Sequence, residues 1–535
     1  MRWNSAVKPS NEARSHRVVP RFGRRVTELQ FASLRNGILW LSVLSLAAVV
    51  GCTDRERSNA NVASSNVAVP RAKCGPHDRP EPALQGQVPA TVRQQGPFTG
   101  FRCNLELVSQ IQDEGAGWQS AFVTDDAGHM CAYHDTSPNV AGRKHMGVAV
   151  IDATDAATPK TVGYLTSPAM LDAAETLKVN AKRKLLVAVF ALGGPAKPQF
   201  DLYDVARDCR FPRLLTKSEL LPSTSAQPPL RANDASFSPD GSMLYATSLR
   251  DGVIQAIDIR TPESPKVAAT WSMPFNQRTS GLSIRADGRR AYFTLFGEGS
   301  AVPVSAGSRR LTNGLVIADI SEAQQHRSHP QVKVVSSMVW GDGSASHQTL
   351  PVRIGGREYL IAVDEGGSGY PNASGWRAAC NARQPAWSMA RIIDIEDESR
   401  PRIVSRLQLE MNLPQNCDQV LPDLTGLTGF THGSHYCSVD DPRDATILAC
   451  GYLESGIRVF DIRTPLRPTE IAYFVPPSVA APVPGSVNNN ATASGRVDHC
   501  SAQIWADRRS ETMMTTCQDN GFLVLKFTNA AWPPP

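Results

Sequence analysis

The chain has 535 residues, of which 20% are charged, and its formal net charge at pH 7 is +5. That positive charge is confined to the beginning: residues 1–51 hold eight Lys/Arg and two Asp/Glu, and the remainder holds 47 basic and 48 acidic residues. No basic stripe therefore remains that would predict nucleic-acid binding. Length alone allows two or three domains.

The first predicted element is an export signal. An apolar stretch of 15 residues, from Gly37 to Gly51, follows a basic segment and ends at Cys52. A helix that spans a bilayer needs about 20 residues, so this stretch is typical of a signal peptide covering residues 1–51.

The run Val49-Val50-Gly51-Cys52 resembles a bacterial lipobox, in which the Cys thiol is lipidated and the chain is cut just before it. The resemblance implies lipidation at Cys52 and a membrane-anchored protein outside the cytoplasm. Thr53 is not the Asp that favours inner-membrane retention in Gram-negative lipoproteins, so the implied site is the outer membrane. An ordinary buried helix beside an accidental Gly-Cys pair is the alternative.

Residues 52–97 are rich in Ser, Asn, Ala, Pro and Gln and show no apolar periodicity. This composition predicts a flexible tether between the lipid and the folded domain. The ten cysteines that follow Cys52 are an even number, which suits an oxidising compartment such as the periplasm or the cell surface.

Six short apolar runs that end in Asp recur along the remaining chain. They are Gly147–Asp152, Phe200–Asp204, Val253–Asp258, Leu315–Asp319, Ala390–Asp394 and Ile457–Asp461. Four of them have Pro seven residues after the Asp, and a further apolar run follows each Pro. Runs of this length predict strands, with the Asp accepting a hydrogen bond in the turn and the Pro opening an edge strand.

A further hairpin precedes each run, so each repeat supplies four strands, and the Asp positions step by 52 to 75 residues. This period predicts a β-propeller. A seventh run, Gly521–Phe527, lacks an outer strand, which Asn104–Ile111 can supply while closing the ring. We therefore predict an all-β fold, a single propeller of seven four-stranded blades over residues 98–535. A string of independent sandwiches is the alternative.

The repeats resemble LVIVD repeats, a family of bacterial and archaeal surface-associated propeller repeats. The resemblance rests on Val/Ile runs that end in Asp and continue as Thr-Pro-x-x-Pro, as from Asp258 to Pro265 and from Asp461 to Pro468, and it covers residues 98–530. It implies the propeller architecture but carries no catalytic motif. Because propellers host unrelated functions, the fold does not decide the activity.

Two cysteine pairs flank the turns of predicted hairpins. Residues directly opposed in antiparallel strands lie close to the separation that a disulfide requires. We therefore predict the bonds Cys437–Cys450 and Cys500–Cys517, with reduced thiols serving as small core residues as the alternative. Cys380 with Cys417 is a looser pairing of two loop cysteines. The sequence leaves four cysteines unpaired: Cys74, Cys103, Cys131 and Cys209.

Three histidines precede the first strand of blades five, six and seven: His347, His435 and His499. That strand is the innermost of a blade, so the three imidazoles could face one axial mouth. The corresponding positions of other blades hold Glu175, Asp234, Ser280 and either Gln119 or Ser120, and His432 offers a further nitrogen.

Imidazole and carboxylate are ligands for Zn, Cu or Fe, so His347, His435, His499, Glu175 and Asp234 form a candidate site for a divalent transition metal. A structural role, in which each ring bonds a neighbouring blade, and contact with a polar ligand are the alternatives.

Two long insertions, from Phe296 to Asn313 and from Asp364 to Trp387, could roof the axial mouth. Within the second, Tyr370, Trp376 and Trp387 are candidates for stacking on a sugar or a peptide. The alternative is a loop that packs its own aromatic side chains.

The chain has no Gly-x-Ser-x-Gly elbow, His-Glu-x-x-His motif, P-loop or Rossmann fingerprint, so the sequence assigns no catalytic residue. We predict a membrane-anchored, extracytoplasmic lipoprotein whose propeller binds or scaffolds a polysaccharide, peptide or protein partner. The alternatives are a metal-dependent periplasmic oxidoreductase or hydrolase that uses the axial histidines, and a purely structural envelope component.

Overall fold

A computed structural model describes residues 67–94, 97–136, 144–173, 175–189, 200–216, 232–274, 277–301, 311–369, 373–424, 430–480, 483 and 497–533. The chain divides into residues 1–60 and residues 61–535, and all described residues belong to the second part. The predicted signal and Cys52 lie outside them. Among the described residues, no helix is long and apolar enough to cross a membrane.

Seven antiparallel sheets form the seven blades of a β-propeller, as predicted. In chain order the strands are β1 (Phe101–Cys103), β2 (Leu105–Ile111), β3 (Ser120–Thr124), β4 (Met130–Asp135), β5 (Val148–Asp152), β6 (Lys160–Leu165), β7 (Lys178–Asn180), β8 (Leu185–Val189), β9 (Phe200–Asp204), β10 (Arg213–Leu214), β11 (Asp234–Phe237), β12 (Met243–Thr247), β13 (Val253–Asp258), β14 (Lys266–Ser272), β15 (Leu282–Ile284), β16 (Arg290–Leu295), β17 (Gly314–Asp319), β18 (Lys333–Val339), β19 (Ser344–Ile354), β20 (Arg357–Gly366), β21 (Ala390–Asp394), β22 (Arg402–Arg406), β23 (Cys437–Val439), β24 (Ile447–Gly451), β25 (Ile457–Asp461), β26 (Thr469–Val475), β27 (Trp505–Asp507), β28 (Thr512–Cys517) and β29 (Gly521–Phe527).

Blades one to six take four consecutive strands each, from β3–β6 to β23–β26, and blade seven begins with β27–β29. Short α-helices decorate the connections: α1 (Ala90–Gln94), α2 (Ser321–Gln324), α3 (Ala373–Asn381) and α4 (Cys417–Val420). Short 3-10 helices lie at Met170–Asp172, Glu410–Asn412, Pro414–Asn416 and Leu421–Leu424. Apolar side chains of facing blades pack between the sheets and form the core.

The predicted Asp-ended runs are the third strands of blades one to six. The Asp at the end of each strand accepts the backbone N–H two residues later, as Asp258 does from Arg260 and Asp461 does from Arg463, both at 3.0 Å. This bond fixes the turn into the outer strand, which is the role that the sequence predicts for the Asp.

The ring closes as predicted. Strand β2 pairs with β29 from Leu105, opposite Phe527, to Ile111, opposite Phe522, and completes blade seven. Strand β1 was not predicted: it adds a fifth strand to blade six, with Cys103 opposite Tyr473. The N-terminal end of the domain thus covers the outer edges of two neighbouring blades, which protects both from edge-to-edge pairing.

Residues 67–94, here called the N-terminal strap, differ from the flexible tether predicted over residues 52–97. The Val69 N–H donates to the Gln408 carbonyl at 2.8 Å, and Cys74 is disulfide-bonded to Cys103. The carboxylate of Glu81, with 3% of its side chain exposed, meets the buried guanidinium of Arg458 at 2.6 Å. These few contacts hold the segment against the propeller, and its polar composition gives no sign of them.

Blades five and six each contain a buried arginine that is paired with two carboxylates. The second residue of the third strand is a fully buried arginine, Arg391 in β21 and Arg458 in β25, and each contacts two carboxylates. The carboxylates come from Asp342 and Asp364 in blade five and from Glu81 and Glu470 in blade six. Since a buried guanidinium is stable only when it is paired, the strap supplies a part of the core of blade six.

The ten described cysteines form five disulfides. Cys437–Cys450 joins the first two strands of blade six, Cys500–Cys517 joins the segment before β27 to the end of β28, and Cys380–Cys417 joins α3 to α4. The four cysteines that the sequence left unpaired form Cys74–Cys103 and Cys131–Cys209. These last two bonds join cysteines 29 and 78 positions apart, and no local sequence pattern reveals them.

Candidate functional site

One face of the propeller carries the long connections. The inner strand of each blade begins at this face, where the described residues 367–369, 373–389, 407–424 and 430–436 lie in connections between successive strands. The opposite face has short turns, such as Gly355 and Gly356 alone between β19 and β20. Chain length is therefore concentrated around the axial mouth, where propeller loops can form a site.

Glu175 of blade two, His347 of blade five and His435 of blade six meet at this mouth, and we call these three residues the axial cluster. Glu175 Oε1 lies 3.0 Å from His347 Nε2 and 3.7 Å from His435 Nε2. The three ligand atoms all lie within 4.8 Å of one another. Side chains of blades two and five can touch only at the axis, so the cluster fills the centre of the ring.

Backbone carbonyls fix the orientation of both rings. His347 Nδ1 donates to the carbonyl of His435 at 3.4 Å, and His435 Nδ1 donates to the carbonyl of Ser501 at 3.2 Å. A carbonyl only accepts, so each Nδ1 carries the hydrogen and each Nε2 faces Glu175. A carbonyl on the outer nitrogen of an imidazole is the usual way in which proteins orient a metal-binding histidine.

The two rings differ in protonation. Burial lowers the pKa of His347, but the Glu175 carboxylate outweighs burial and raises the pKa to about 9. Burial, together with the neighbouring His347, lowers the pKa of His435 to about 3. His435 Nε2 is therefore unprotonated, and its lone pair points at a carboxylate oxygen. No described protein group donates a hydrogen bond to this nitrogen. A cation between these atoms would satisfy both of them.

The second oxygen of Glu175 is held separately. Asn233 Nδ2 donates to Glu175 Oε2 at 2.7 Å and to Ser280 Oγ at 2.8 Å. The carboxylate is thereby fixed so that only Oε1 faces the imidazoles. About 14% of the Glu175 side chain is exposed, which leaves the cluster a path to solvent.

Asp234 is directed elsewhere. Its carboxylate lies 2.7 Å from Lys178 Nζ, and this ammonium group lies 5.5 Å from the centre of the Tyr436 ring. No sequence motif marks Lys178 or Tyr436 as site residues, although they lie close in sequence to Glu175 and His435. Asp234 therefore acts as the partner of a lysine, and the structure does not bring it into the axial cluster.

His499 also remains outside the cluster. Its ring is fully buried, burial lowers its pKa to about 3, and neither ring nitrogen has a hydrogen-bond partner among the described groups. His432 lies apart as well, with Nδ1 3.1 Å from Ser455 Oγ. The recurrence of polar residues at one position of the repeat thus located the axial mouth. Two of the five predicted ligands, Asp234 and His499, do not join the axial cluster.

Aromatic and acidic side chains surround the cluster. Trp118 stacks on His435, with 5.1 Å between the ring centres, and Phe430 meets the edge of Trp118. Glu365 interacts electrostatically with His347 and Glu175, and burial raises its pKa to about 7. Glu365 falls within the insertion predicted from Asp364 to Trp387, but the structure places it in β20, which extends to Gly366.

Two of the three aromatic residues predicted to stack on a ligand are buried in the core. Trp376 and Trp387 are each only 2% exposed and belong to the core beneath blades five and six. Trp376 lies on α3, which Cys380 fastens to Cys417, so this insertion packs its own aromatic side chains. Tyr370 lies outside the described residues.

A cavity of about 450 Å³ lies on the opposite face, between blades four and five. Arg285 and Arg290 line it, and both are paired with Glu398, at 3.1 Å and 2.7 Å. Because its charged groups satisfy one another, this cavity offers less to a ligand than the axial cluster does.

No protein-family model matches the chain, and no curated protein sequence matches it. The fold is similar to that of the periplasmic gluconolactonase of Pseudomonas aeruginosa, at 12% identity and a TM-score of 0.41, over 66% of this chain and 87% of that one. It is also similar to a putative 6-phosphogluconolactonase from Bacteroides uniformis, at 12% identity and a TM-score of 0.40, over 66% and 88%. At these values the likeness concerns the propeller fold and carries no inference about activity.

Proposed function

We propose that this propeller is an extracytoplasmic metalloprotein in which the axial cluster holds a divalent transition metal. The observation that carries the proposal is the convergence of His347 Nε2 and His435 Nε2 on Glu175 Oε1, with both outer ring nitrogens tied to carbonyls. This arrangement combines a donor set with the contacts that orient it.

The distances fit a small metal ion. Zinc binds imidazole nitrogen and carboxylate oxygen at about 2.0–2.2 Å, and a tetrahedral centre separates its donor atoms by about 3.3 Å. The separations of Glu175 Oε1 from the two Nε2 atoms, 3.0 Å and 3.7 Å, lie on either side of that value. Two histidines and one glutamate leave a fourth position open, which is the pattern of catalytic rather than structural zinc sites.

Hydrolysis is the reaction that the neighbouring residues favour. A divalent metal held at an open site activates a bound water. Glu365 is a carboxylate outside the ligand set that acts electrostatically on His347 and Glu175, and it could accept the proton that this water loses. With an ester as substrate, Glu365 would hold the proton lost by the attacking water and pass it to the departing alcohol oxygen.

Metal analysis of the purified mature protein tests the site. We expect one equivalent of metal in the wild type, and visible absorption of tetrahedral type after exchange with Co²⁺. His435→Ala should lose both. The matched control is His145→Ala, since His145 also lies 3.2 Å from a glutamate, Glu114, but 40% of its side chain is exposed away from the axis. A wild-type protein that takes up no metal would overturn the proposal.

A second experiment tests the chemistry. The zinc-loaded protein should hydrolyse p-nitrophenyl acetate, and Glu365→Gln should reduce the rate at least tenfold while the protein retains its metal. If the rate is unchanged in Glu365→Gln, another group takes the proton and the role of Glu365 is wrong.

Recruitment of a polysaccharide, peptide or protein partner is a second proposal for the same face. It is supported by the long connections around the mouth, such as the described residues 407–424 and 430–436. This proposal includes lipid anchoring at Cys52 and export to the outer membrane, which the lipobox resemblance supports. It also includes membership of the LVIVD-like repeats, which the repeat resemblance supports. A metal-free wild type that still binds a cell-wall polymer would favour recruitment over catalysis.

A further inference from the structure

The backbone just before His347 is held in an unfavourable conformation. Ala345 has a φ of 52°, in the left-handed region, and the pairing of β19 with β20 shifts register between Ser346 and Gln348. A β-bulge of this kind redirects a side chain, and here it places His347 against Glu175. Such strain persists only when the surrounding structure holds it.

One buried amide anchors this bulge. Asn313 Oδ1 accepts the N–H of Ser346 at 2.7 Å, and Asn313 Nδ2 donates to Asp364 Oδ1 at 3.2 Å. Because a carboxylate only accepts, Asp364 forces the NH₂ group of Asn313 towards itself and turns the amide oxygen towards Ser346. All three residues are buried.

The same aspartate also contacts the segment before His435. The hydroxyl of Ser434 donates to the backbone carbonyl of Asp364 at 3.3 Å. The Asp364 carboxylate is itself fixed by Arg391 and by Trp340 Nε1, the latter at 3.0 Å. Asp364 is therefore connected, through its side chain and its backbone, to the residue that precedes each histidine of the axial cluster.

We infer that Asp364 is a positioning residue that sets the separation of the two imidazole ligands. It touches neither the metal nor a substrate, and the inference rests on the proposed metal centre. One arm runs through Asn313 and Ser346 to His347, and the other runs through Ser434 to His435.

Two mild variants each loosen one arm. Asn313→Ala, Ser434→Ala and Asp364→Asn should each weaken zinc binding about tenfold, within the range for residues that orient metal ligands. Asp364→Asn acts through the Asn313 arm alone, because it keeps the backbone carbonyl that Ser434 contacts. Affinity is measured by competition with a chromophoric chelator. The visible spectrum of the Co²⁺ protein should shift in all three variants, since it reports the geometry of the ligands.

The chain offers a matched control in Asp342→Asn. Asp342 pairs with the same guanidinium of Arg391, at 2.9 Å, but the described contacts do not link it to Asn313 or Ser434. Asp342→Asn should lower stability while zinc affinity stays within about twofold of the wild type. Equal losses of affinity in Asp342→Asn and Asn313→Ala would show a general effect of stability and would overturn the inference. If Asp364→Asn does not fold, the zinc affinities of Asn313→Ala and Ser434→Ala decide whether the positioning role is correct.

Crystal structures of the metal-free proteins separate this inference from the proposed function. In Asn313→Ala the contact between His347 Nε2 and Glu175 Oε1 should lengthen beyond hydrogen-bonding distance, while in Asp342→Asn it should stay near 3.0 Å. An unchanged contact in Asn313→Ala would refute the positioning role. A lengthened contact in a protein that binds no metal would leave the positioning role in place and remove the metal centre.

Discussion

The contact of Glu81 with Arg458 decides whether the N-terminal strap is part of the folded domain. The guanidinium of Arg458 is fully buried and donates to Glu81 Oε1 at 3.2 Å and to Glu81 Oε2 at 2.6 Å. It also donates to Glu470 at 2.9 Å, and Gln85 of the strap donates to the other oxygen of Glu470 at 2.8 Å. The perturbation that tests this network is Glu81→Gln.

Removing one partner of a buried ion pair costs about 3–5 kcal/mol, because the other charge is left without compensation. Since Glu470 still neutralises Arg458, we expect the lower end of that range, about 3 kcal/mol. The assay is guanidinium chloride unfolding, followed by tryptophan fluorescence with the disulfides intact. Glu263→Gln, at an exposed turn position, is the control and should change the unfolding free energy by less than about 0.5 kcal/mol.

The reasoning is refuted if Glu81→Gln and Glu263→Gln unfold at the same denaturant concentration. The strap would then be a tether that only rests on the propeller. Deletion of residues 67–94 gives a larger effect on the same scale, because it also removes the bond between Cys74 and Cys103, which closes a 29-residue separation. Loop-closure entropy alone makes that bond worth about 3–4 kcal/mol.

Three further predictions concern ring closure, pH and anchoring. Leu105→Ala, at a fully buried position of β2, should cost about 2–5 kcal/mol in denaturant unfolding, whereas Leu107→Ala, 37% exposed on the same strand, should cost under about 1 kcal/mol; equal costs would contradict closure by β2. Burial raises the pKa of Asp342, but two arginines outweigh it and hold the pKa at about 2, so its stabilisation is complete above about pH 4 and is lost as the pH falls towards 2. The cost of Asp342→Asn, about 2 kcal/mol at pH 7, should therefore shrink in acid, and a cost independent of pH would exclude this pairing. Cys52→Ala should abolish fatty-acid labelling and release the protein from membranes, and a wild type that takes up no fatty acid would contradict the lipobox.

Much of the fold could be predicted because it is written in local patterns. The runs that end in Asp258 and Asp461 are each followed by a Pro at the same distance from the Asp. Each run is a strand, because few other structures bury so short an apolar segment. Hairpin symmetry likewise predicted that Cys437 faces Cys450, since opposed positions in a hairpin follow from its turn. The closing strand was recognisable because the last repeat lacked a partner.

The strap could not be predicted in this way. Its order depends on Glu81 reaching Arg458, two residues separated by 377 positions. A single carboxylate in a polar segment has the same sequence signature whether it is solvated or buried. Only the packed structure shows that blade six has a buried guanidinium that requires it.

The sequence by itself determined the seven blades and the face on which the histidines lie, because repeat period and position within a repeat are local properties of the chain. The tertiary structure decided that Glu175 meets His347 and His435, that Asp234 turns to Lys178, and that His499 stands apart. The physical reason is that side chains from different blades meet across the axis only after the ring has closed. Which atoms then come within bonding distance depends on bulges, rotamers and buried partners that no single segment encodes.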